Sequence, residues 1–411
     1  MGQKALWFLY ELEPSSSAYN MAITVRICSQ LDVGALKRAW VALVAAHPLL
    51  RTTFTNIEGT PRQKIHGLPE VDFEQIDASS WTADELKKRV REAYHQPWDL
   101  GKGVSRFRVF TTSPKDHVVL ITIHHIACDA WSMGMLFSEL GGLYQRETTN
   151  RALELPVQKN QYPDYMNWQV QLLNSSKGEE LWNYWQKQLV GELPVINLPT
   201  DRPRPPVQTF NGSSHFFKLS EELSKKLIEL ARSEGATLYM VLLAAFFVLL
   251  HRYSGQSDIL VGSPTSGRSK PEWRRILGDF VNPVVLRGNL SGNPEFKAFL
   301  KQVRQTVLGA IAHQDYPFTL LVERLQPERN PGYYPISQVS FVFQKPPQEF
   351  VELFNLGGSS TQIDWGGLSV EPFEMAQQEG QFDLALEMIL ASGALKGAFI
   401  VILIKKETGV S

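Results

Sequence analysis

Runs of β-branched residues alternate with segments of helical spacing along most of this 411-residue chain. The stretch NMAITVRICS at 20–29 has the composition of a strand. The stretch that follows spaces its apolar residues on one face of a helix that ends before Pro48. A hairpin is predicted at 106–125, and similar alternation continues in the second half. The pattern predicts a mixed fold of the α/β or α+β class.

The length of the chain favours two lobes, since single hydrophobic cores stop growing near ~250 to 300 residues. A long helical segment is predicted from Tyr162 to Leu189. The stretch LPTDRPRPPVQ at 198–208 follows it, and its prolines deny both a regular helix and central strand pairing. We place the lobe boundary near the helical segment, and we therefore expect one lobe at 1–175 and a second at 176–411.

Charge and composition narrow the possible partners. The formal net charge is −1, so neither nucleic acid nor an anionic membrane is expected to bind. The longest apolar run, at 238–250, is shorter than the ~18 residues of a membrane span and predicts a buried helix. The two cysteines, Cys28 and Cys128, lie far apart in the sequence. That usage fits a reducing compartment, and we expect a cytoplasmic location.

The stretch ITIHHIACDAWS at 121–132 concentrates residues that are capable of chemistry. Successive side chains on a strand point to opposite faces, so His124 and His125 cannot share one ligand while the strand persists. A zinc site also needs three or four ligands, and no second His/Cys group complements this pair. A serine triad through Ser132 lacks the strained turn of a nucleophile elbow. No metal site is predicted.

Two interpretations of this stretch remain open. Either both histidines pack as structural residues, or one packs while the other faces a cavity where the strand ends, a common place for catalytic groups. In the second case Asp129 folds back onto a cation and fixes the loop. A helix is predicted to follow from about Ser132 to Tyr144, with Ser132 at its N-cap.

The same stretch matches a known motif. HHIACDA at 124–130 resembles the His-His-x-x-x-Asp-Gly motif of the condensation domains of nonribosomal peptide synthetases. Other segments resemble further motifs of that family in the same order: GQKALWFL at 2–9, AHPLLRTTF at 46–54, YPDYMNW at 162–168, LGDFVNPVVLR at 277–287, HQDYPF at 313–318 and ERNPGYYPISQVSF at 328–341. The resemblance covers nearly the whole chain.

The resemblance implies a fold and a reaction. Members of the family have two chloramphenicol acetyltransferase-like lobes in a V-shaped arrangement with an inter-lobe tunnel. Upstream and downstream carrier proteins deliver their substrates from opposite ends on 4'-phosphopantetheine arms, so the domain itself is expected to bind no cofactor. The amine of a carrier-bound aminoacyl group attacks a carrier-bound acyl or peptidyl thioester and forms an amide. An adjacent adenylation domain within a larger multidomain chain is also implied.

The resemblance also implies roles for residues. His125 lies at the reacting centre, where it either takes a proton from the amine or holds the amine by a hydrogen bond. His124 is expected to be buried, and Asp129 is expected to form a buried pair with Arg287. Side chains that line the tunnel or belong to its motifs are expected at Trp131, Ser132, Asn282, Arg51 and Gln314.

Two features depart from the family pattern. Ala130 replaces the glycine of the central motif, which costs ~1 to 2 kcal/mol if the position needs a positive φ. If glycine instead lets a pantetheine arm pass, the added methyl group narrows the tunnel. The C-terminal AFIVILIKKETGVS does not resemble the usual ending, so we expect the chain to be truncated or altered after about residue 398. Because the histidine is retained, an active enzyme is still expected.

Other functions fit the same resemblance. Epimerisation domains share the fold and the paired histidines, but the segment from His47 to Phe54 and the segment around Asn282 favour condensation. A dehydrating variant of condensation and a catalytically idle module that binds carrier proteins are the remaining alternatives.

Overall fold

The computed structural model describes residues 2–67, 70–149, 158–201, 203–208, 212–328, 330–346, 362–373 and 380–402. Within these ranges the helices are α1 (Gly2–Leu12), α2 (Val33–Ala46), α3 (Ala83–His95), α4 (Ala130–Thr149), α5 (Tyr162–Leu173), α6 (Ser176–Gln188), α7 (Glu221–Ser233), α8 (Leu238–Ser254), α9 (Phe296–Ala312) and α10 (Phe318–Leu325). The strands are β1 (Asn20–Ile27), β2 (Thr52–Ile57), β3 (Thr60–Ile65), β4 (Phe73–Asp77), β5 (Ser105–Ser113), β6 (Asp116–His124), β7 (Gly212–Lys218), β8 (Asp258–Thr265), β9 (Asn282–Asn289), β10 (Val339–Gln344), β11 (Ile363–Trp365), β12 (Leu368–Pro372), β13 (Leu384–Ala391) and β14 (Ala394–Ile402).

The predicted helix from Tyr162 to Leu189 is wrong in one respect, because it is two helices, α5 and α6. The chain turns at Asn174 and Ser175, where the Ser175 hydroxyl donates to the carbonyl of Leu172 at 2.6 Å. Such a side-chain bond competes with continued helical pairing of the backbone. The strand at 20–29, the hairpin around 112–115 and the helix before Pro48 are confirmed as β1, β5–β6 and α2.

One sheet forms the centre of the first half of the chain, with the strand order β11-β12-β1-β6-β5-β4. Strand β6 lies in its interior between β1 and β5, and its last residue, His124, is opposite Asn20 of β1. Residues 117–124 are all buried, as expected of a strand covered on both faces. The end of β6 therefore emerges from the middle of a packed sheet.

A second sheet has the order β7-β14-β13-β10-β8-β9. The apolar run at 238–250 forms most of α8 and is largely buried against this sheet, which confirms the buried helix predicted there. Among the described residues no single helix is both long and apolar enough to cross a membrane. Helices α7 and α8 have the length and composition of a membrane span only when taken together, and the pair is bent by 106°.

Two segments from the second half of the chain return to the first half. Strands β11 and β12 extend the first sheet through the pairing of β12 with β1. The loop between β8 and β9 places Trp273, Leu277 and Phe280 in the hydrophobic core of the first sheet. The two halves are therefore interlocked, and the division into 1–175 and 176–411 stays a prediction.

We expect the Trp365→Ala substitution to destabilise the protein by about 3 to 5 kcal/mol, the usual cost of emptying a large buried site. The Trp365 indole stacks on Phe137 with ring centroids 4.7 Å apart and donates to the carbonyl of Phe137 at 2.8 Å. Urea unfolding followed by fluorescence measures the effect. Leu12→Ala is the control, since Leu12 is 81% exposed and should change stability by less than ~0.5 kcal/mol. Equal effects would mean that the returning strand does not hold the first sheet.

Candidate active site

The chain leaves β6 in a short 3₁₀ turn, His125–Ala127, that is held from several sides. The main-chain N–H of His125 donates to the carbonyl of Tyr19 at 2.9 Å. The buried amide of Gln3 on α1 donates to the carbonyl of Ile126 at 2.8 Å. Since this turn is tied to both α1 and the residue before β1, the fold fixes the main chain at His125.

His124 is a buried, neutral, structural histidine. Its Nδ1 accepts from the N–H of Ile126 at 3.1 Å, so the ring hydrogen is on Nε2. The rings of Tyr10, Tyr19 and Trp98 surround it. Burial, and secondarily the charge of His125, lowers the pKa of His124 to about 3. The expectation that His124 is buried is confirmed.

His125 is placed differently, with one edge of its ring inside and the rest accessible. Its Nδ1 is buried, and within the described residues this atom makes no hydrogen bond. The side chain is 26% exposed, and Nε2, unlike Nδ1, is not among the described buried atoms without a hydrogen-bond partner. The alternation of a strand and the turn that follows it thus give the two histidines separate environments.

The inner edge of the His125 imidazole faces Asp279. The distance from Nδ1 to Oδ1 of Asp279 is 3.5 Å, and the Asp279 side chain is only 6% exposed. Burial raises the pKa of Asp279 to about 6; the charge of His125 lowers it, and the charge of Asp129 raises it. A carboxyl group that titrates close to neutral pH is therefore in contact with the imidazole.

Asp129 pairs with Arg268, and the predicted pair with Arg287 is wrong. Oδ2 of Asp129 is 2.5 Å from Nη1 of Arg268, and both side chains are essentially inaccessible, at 0% and 1% exposure. Arg268 also donates to the hydroxyl of Ser132 at 2.7 Å and to the carbonyl of Ile276 at 3.1 Å. These additional hydrogen bonds offset part of the desolvation cost of the pair.

Arg287 lies elsewhere because it belongs to β9, within the second sheet. Its guanidinium makes a two-pronged ion pair with Asp258 of β8, at 2.9 and 2.6 Å. It also donates to the carbonyl of Val190 at 3.0 Å. Arg287 thus ties the second sheet to the segment after α6 and does not reach the histidine turn.

Asp129 rather than Ser132 caps α4, so the predicted N-cap is also wrong. The carboxylate of Asp129 accepts from the N–H of Ser132 at 2.8 Å, and the helix begins at Ala130. The Ser132 hydroxyl is fully buried and donates to the carbonyl of Gly278 at 3.0 Å. Ser132 therefore joins α4 to the loop before β9 and does not line an open passage.

The remaining tunnel candidates are not brought together. Trp131 is 49% exposed beside the motif, and its indole donates to the carbonyl of Arg274 at 2.8 Å. The Asn282 side chain donates to the carbonyl of Gln314 at 2.7 Å and accepts from the N–H of Phe318 at 2.8 Å. These bonds occupy both ends of the amide, so Asn282 braces the segment that contains Gln314. Arg51 donates to the carbonyl of His66 at the base of the β2–β3 hairpin.

Ala130 is exposed at the first position of α4, and it is not among the described non-glycine residues with positive φ. The backbone strain of an alanine at positive φ therefore does not arise at Ala130. Gly267 shows the opposite case: its φ is +62°, and a Cβ there would lie 1.7 Å from the carbonyl oxygen of Phe280.

Cys128 is fully buried, and burial raises the pKa of its thiol well above the usual range. This environment suits a small apolar residue and not a reactive thiolate. Within the described part of the chain, no group of three or more His, Cys, Asp or Glu side chains is placed to hold a metal ion.

Comparison with known proteins agrees with the motif series. The sequence model of the Condensation domain family matches residues 1–400. The chain belongs to the condensation domain family. A linear gramicidin synthase of Brevibacillus parabrevis is 40% identical over 407 residues, which are 97% of this chain and 8% of that protein. This condensation domain thus spans a small part of the relatives that it matches.

Two solved structures resemble the domain along nearly its whole length. A holo four-domain nonribosomal peptide synthetase crystallised with AMP and glycine gives a TM-score of 0.88 at 27% identity, over 97% of this chain and 30% of that one. The complex of the X-domain and OxyB from teicoplanin biosynthesis gives 0.83 at 25% identity, over 97% and 86%. These likenesses confirm the expected α/β fold of the chloramphenicol acetyltransferase type. The tunnel between the lobes stays a prediction.

Two residues of the site escaped prediction from the sequence. Arg268 ends the stretch VGSPTSGR at 261–268, and Asp279 is the third residue of the stretch LGDFVNPVVLR at 277–287. A charged residue between apolar neighbours, as in LGDFVN, is the one sequence signal that could have drawn attention to Asp279.

We expect Arg268→Gln to lower the free energy of unfolding by about 3 to 5 kcal/mol, because it leaves the buried carboxylate of Asp129 uncompensated. Arg287→Gln is the matched control. Its ion pair is partly exposed, so the loss should be about 1 kcal/mol or less. Urea titrations of both variants measure the difference, and a larger loss for Arg287→Gln would reverse the assignment of the two arginines.

We expect Ala130→Gly to destabilise the domain slightly, by less than ~1 kcal/mol, since glycine is the poorer helix residue. Gly267→Ala serves as the contrast and should unfold at a much lower temperature, because its φ and its contact with Phe280 exclude a side chain. Thermal unfolding compares the two. A gain in stability for Ala130→Gly would indicate backbone strain at this position.

Proposed function

We propose that this domain forms an amide bond between a carrier-bound acyl or peptidyl thioester and the amine of a carrier-bound aminoacyl group. One observation carries the proposal: the His125 side chain is partly exposed while its Nδ1 is buried, in a turn held by Tyr19 and Gln3. That arrangement suits a side chain that must meet a substrate in one orientation.

The chemistry requires little more from the protein than a well-placed imidazole. An α-amino group has a pKa of about 8 in model compounds. Much of the acceptor amine is therefore protonated at neutral pH and must lose a proton before it attacks. His125 either takes that proton or positions the amine by a hydrogen bond through Nε2. A thioester is already activated toward attack by an amine. Orientation of the two reactants can remove up to ~7 to 11 kcal/mol of the remaining barrier.

The partners of the reaction follow from the family. We propose that upstream and downstream carrier proteins supply both substrates on 4'-phosphopantetheine arms and that an adenylation domain acts next to this one. The four-domain synthetase that resembles this chain includes AMP and glycine in its crystal structure. We also propose a cytoplasmic location, which the two free cysteines support.

A second candidate is a binding module. The X-domain that shares the fold is solved in complex with another protein, OxyB, so this architecture also binds a partner protein. An accessible imidazole beside a buried carboxyl group favours chemistry over recruitment in the present chain. Epimerisation and dehydration are the alternative reactions for the same site.

We expect His125→Ala to lower the rate of amide formation by about 100-fold or more, the lower range of general acid–base contributions. The assay supplies a donor carrier charged with an N-acetylated amino acid and acceptor carriers charged in turn with the common amino acids. Mass spectrometry then detects the acyl group on the acceptor arm. His215→Ala is the control, since His215 is an exposed histidine of β7.

The same assay separates the alternatives. Inversion of the α-carbon leaves the mass unchanged, so chiral chromatography of the hydrolysed product detects epimerisation. Loss of water from an acceptor serine indicates dehydration. Carrier binding without any conversion by the wild-type protein supports the binding module. Transfer that persists at the full rate in His125→Ala contradicts the proposed function.

A further inference from the structure

We infer that Asp279 is a positioning residue for His125: it holds the Nδ1 edge of the imidazole and leaves Nε2 to act on the acceptor amine. This inference rests on the proposed function and assigns a role to a residue that is not among the candidates from the sequence.

The inner edge of the imidazole and the carboxyl group face each other, and the carboxyl group also accepts from the N–H of Val281. Nδ1 of His125 is buried and unbonded within the described residues, and Asp279 lies 3.5 Å away. This separation is slightly longer than a normal hydrogen bond. Catalytic hydrogen bonds are often long in the absence of substrate and tighten when substrate binds.

The position of the carboxyl group is set by the main chain on both sides. The hydroxyl of Tyr162 donates to the carbonyl of Asp279 at 2.6 Å. The next N–H, that of Phe280, donates to Oδ2 of Asp129 at 3.0 Å. The loop therefore cannot carry the carboxyl group away from His125 without breaking the buried network.

The carboxylate determines which nitrogen of the imidazole carries the hydrogen. A neutral imidazole has one donor and one acceptor, and an ionised carboxylate only accepts. Asp279 thus favours hydrogen on Nδ1 and a lone pair on Nε2, the tautomer that can accept a proton from an amine. His124 has the opposite tautomer, set by the N–H of Ile126.

The proton balance of the reaction uses this arrangement. The amine nitrogen forms a bond to the thioester carbon, and one amine hydrogen passes to Nε2 of His125. The carbon–sulfur bond breaks, and the departing sulfur takes the proton back from Nε2. Between these events the imidazole is positively charged, and the carboxylate of Asp279 stabilises that charge.

We expect the rate of amide formation to fall as the pH decreases through about 6, which gives its pH profile an acidic limb. Burial raises the pKa of Asp279 to about 6, and the charge of Asp129 adds to this; the charge of His125 and the N–H of Val281 oppose it. As the pH falls through 6, the carboxylate is protonated and stops accepting from Nδ1. Because the two groups interact, the observed midpoint belongs to the pair.

We expect the stability of the fold to fall as the pH rises through about 6, whereas activity should rise over the same range. The folded pKa of Asp279 lies above its unfolded value, so the folded state holds this proton more tightly. The stability that this proton provides is present below pH ~4 and is lost as the pH rises through about 6. Replacing the buried charge by a neutral amide should therefore preserve or raise the melting temperature at pH 8.

The test compares the wild-type domain with Asp279→Asn and with Asp258→Asn, which alters the partly exposed pair of the second sheet. Single-turnover amide formation is measured from pH 5 to 9 with the charged carriers described above. We expect Asp279→Asn to react about 10- to 100-fold more slowly at pH 7.5 and to show an acidic limb with a changed midpoint. Asp258→Asn should keep the wild-type profile, and the melting temperature of Asp279→Asn at pH 8 should not fall.

A second measurement does not depend on activity. NMR of ¹⁵N-histidine-labelled protein distinguishes protonated from unprotonated ring nitrogens, and the spectrum of His125→Ala identifies the signals of His125. We expect hydrogen on Nδ1 in the wild type and a changed pattern in Asp279→Asn.

The outcomes separate this inference from the proposed function. A wild-type protein that forms no amide contradicts the proposed function, while the NMR comparison still tests the contact with Asp279. An unchanged rate, pH profile and tautomer in Asp279→Asn overturn the positioning role. Loss of rate together with a lower melting temperature overturns it as well, because it shows that Asp279 supports the fold alone.

Discussion

The buried ion pair of Asp129 and Arg268 is the interaction on which the rest of the site depends. Asp129 caps the helix after the histidine turn, and Arg268 comes from the loop that follows β8 of the second sheet. The pair therefore joins two elements that are 139 residues apart in the sequence. Desolvation makes such a pair expensive, and here the Ser132 hydroxyl and the face of the Phe280 ring, 4.1 Å from the guanidinium, provide additional contacts.

Much of the fold and part of the site follow from the sequence. The period-two alternation of a strand is sufficient to show that His124 and His125 have different surroundings. The apolar run at 238–250 and the hairpin before the histidines are equally readable, because each is specified by neighbours in the chain. The family motifs identify His125 as the residue of interest. Each of these features depends on a local sequence pattern or on motifs that occur in the family's order along the chain.

What the sequence does not reveal is which distant residues meet. Arg268 and Arg287 both lie in motif-like stretches of the second half, and only the register of β8 and β9 decides that Arg287 pairs with Asp258. The return of Trp365 to the first sheet likewise depends on a long connection. Asn282 was expected near the tunnel, yet its amide is occupied by the main chain of the segment around Gln314. Side-chain direction and long-range pairing, not residue type, set these outcomes.

The charges around the turn also constrain what His125 can do. The buried guanidinium of Arg268 is committed to Asp129, and the charge of His125 acts on the second buried carboxyl group, Asp279. The Asp279 carboxylate thus lacks a full positive counter-charge, which a protonated imidazole of His125 is placed to supply. A substrate amine that gives its proton to His125 would complete this balance, since the resulting imidazolium neutralises the second carboxylate. Under the proposed function, this arrangement would be costly for the resting protein and favourable for the charged intermediate, as catalysis requires.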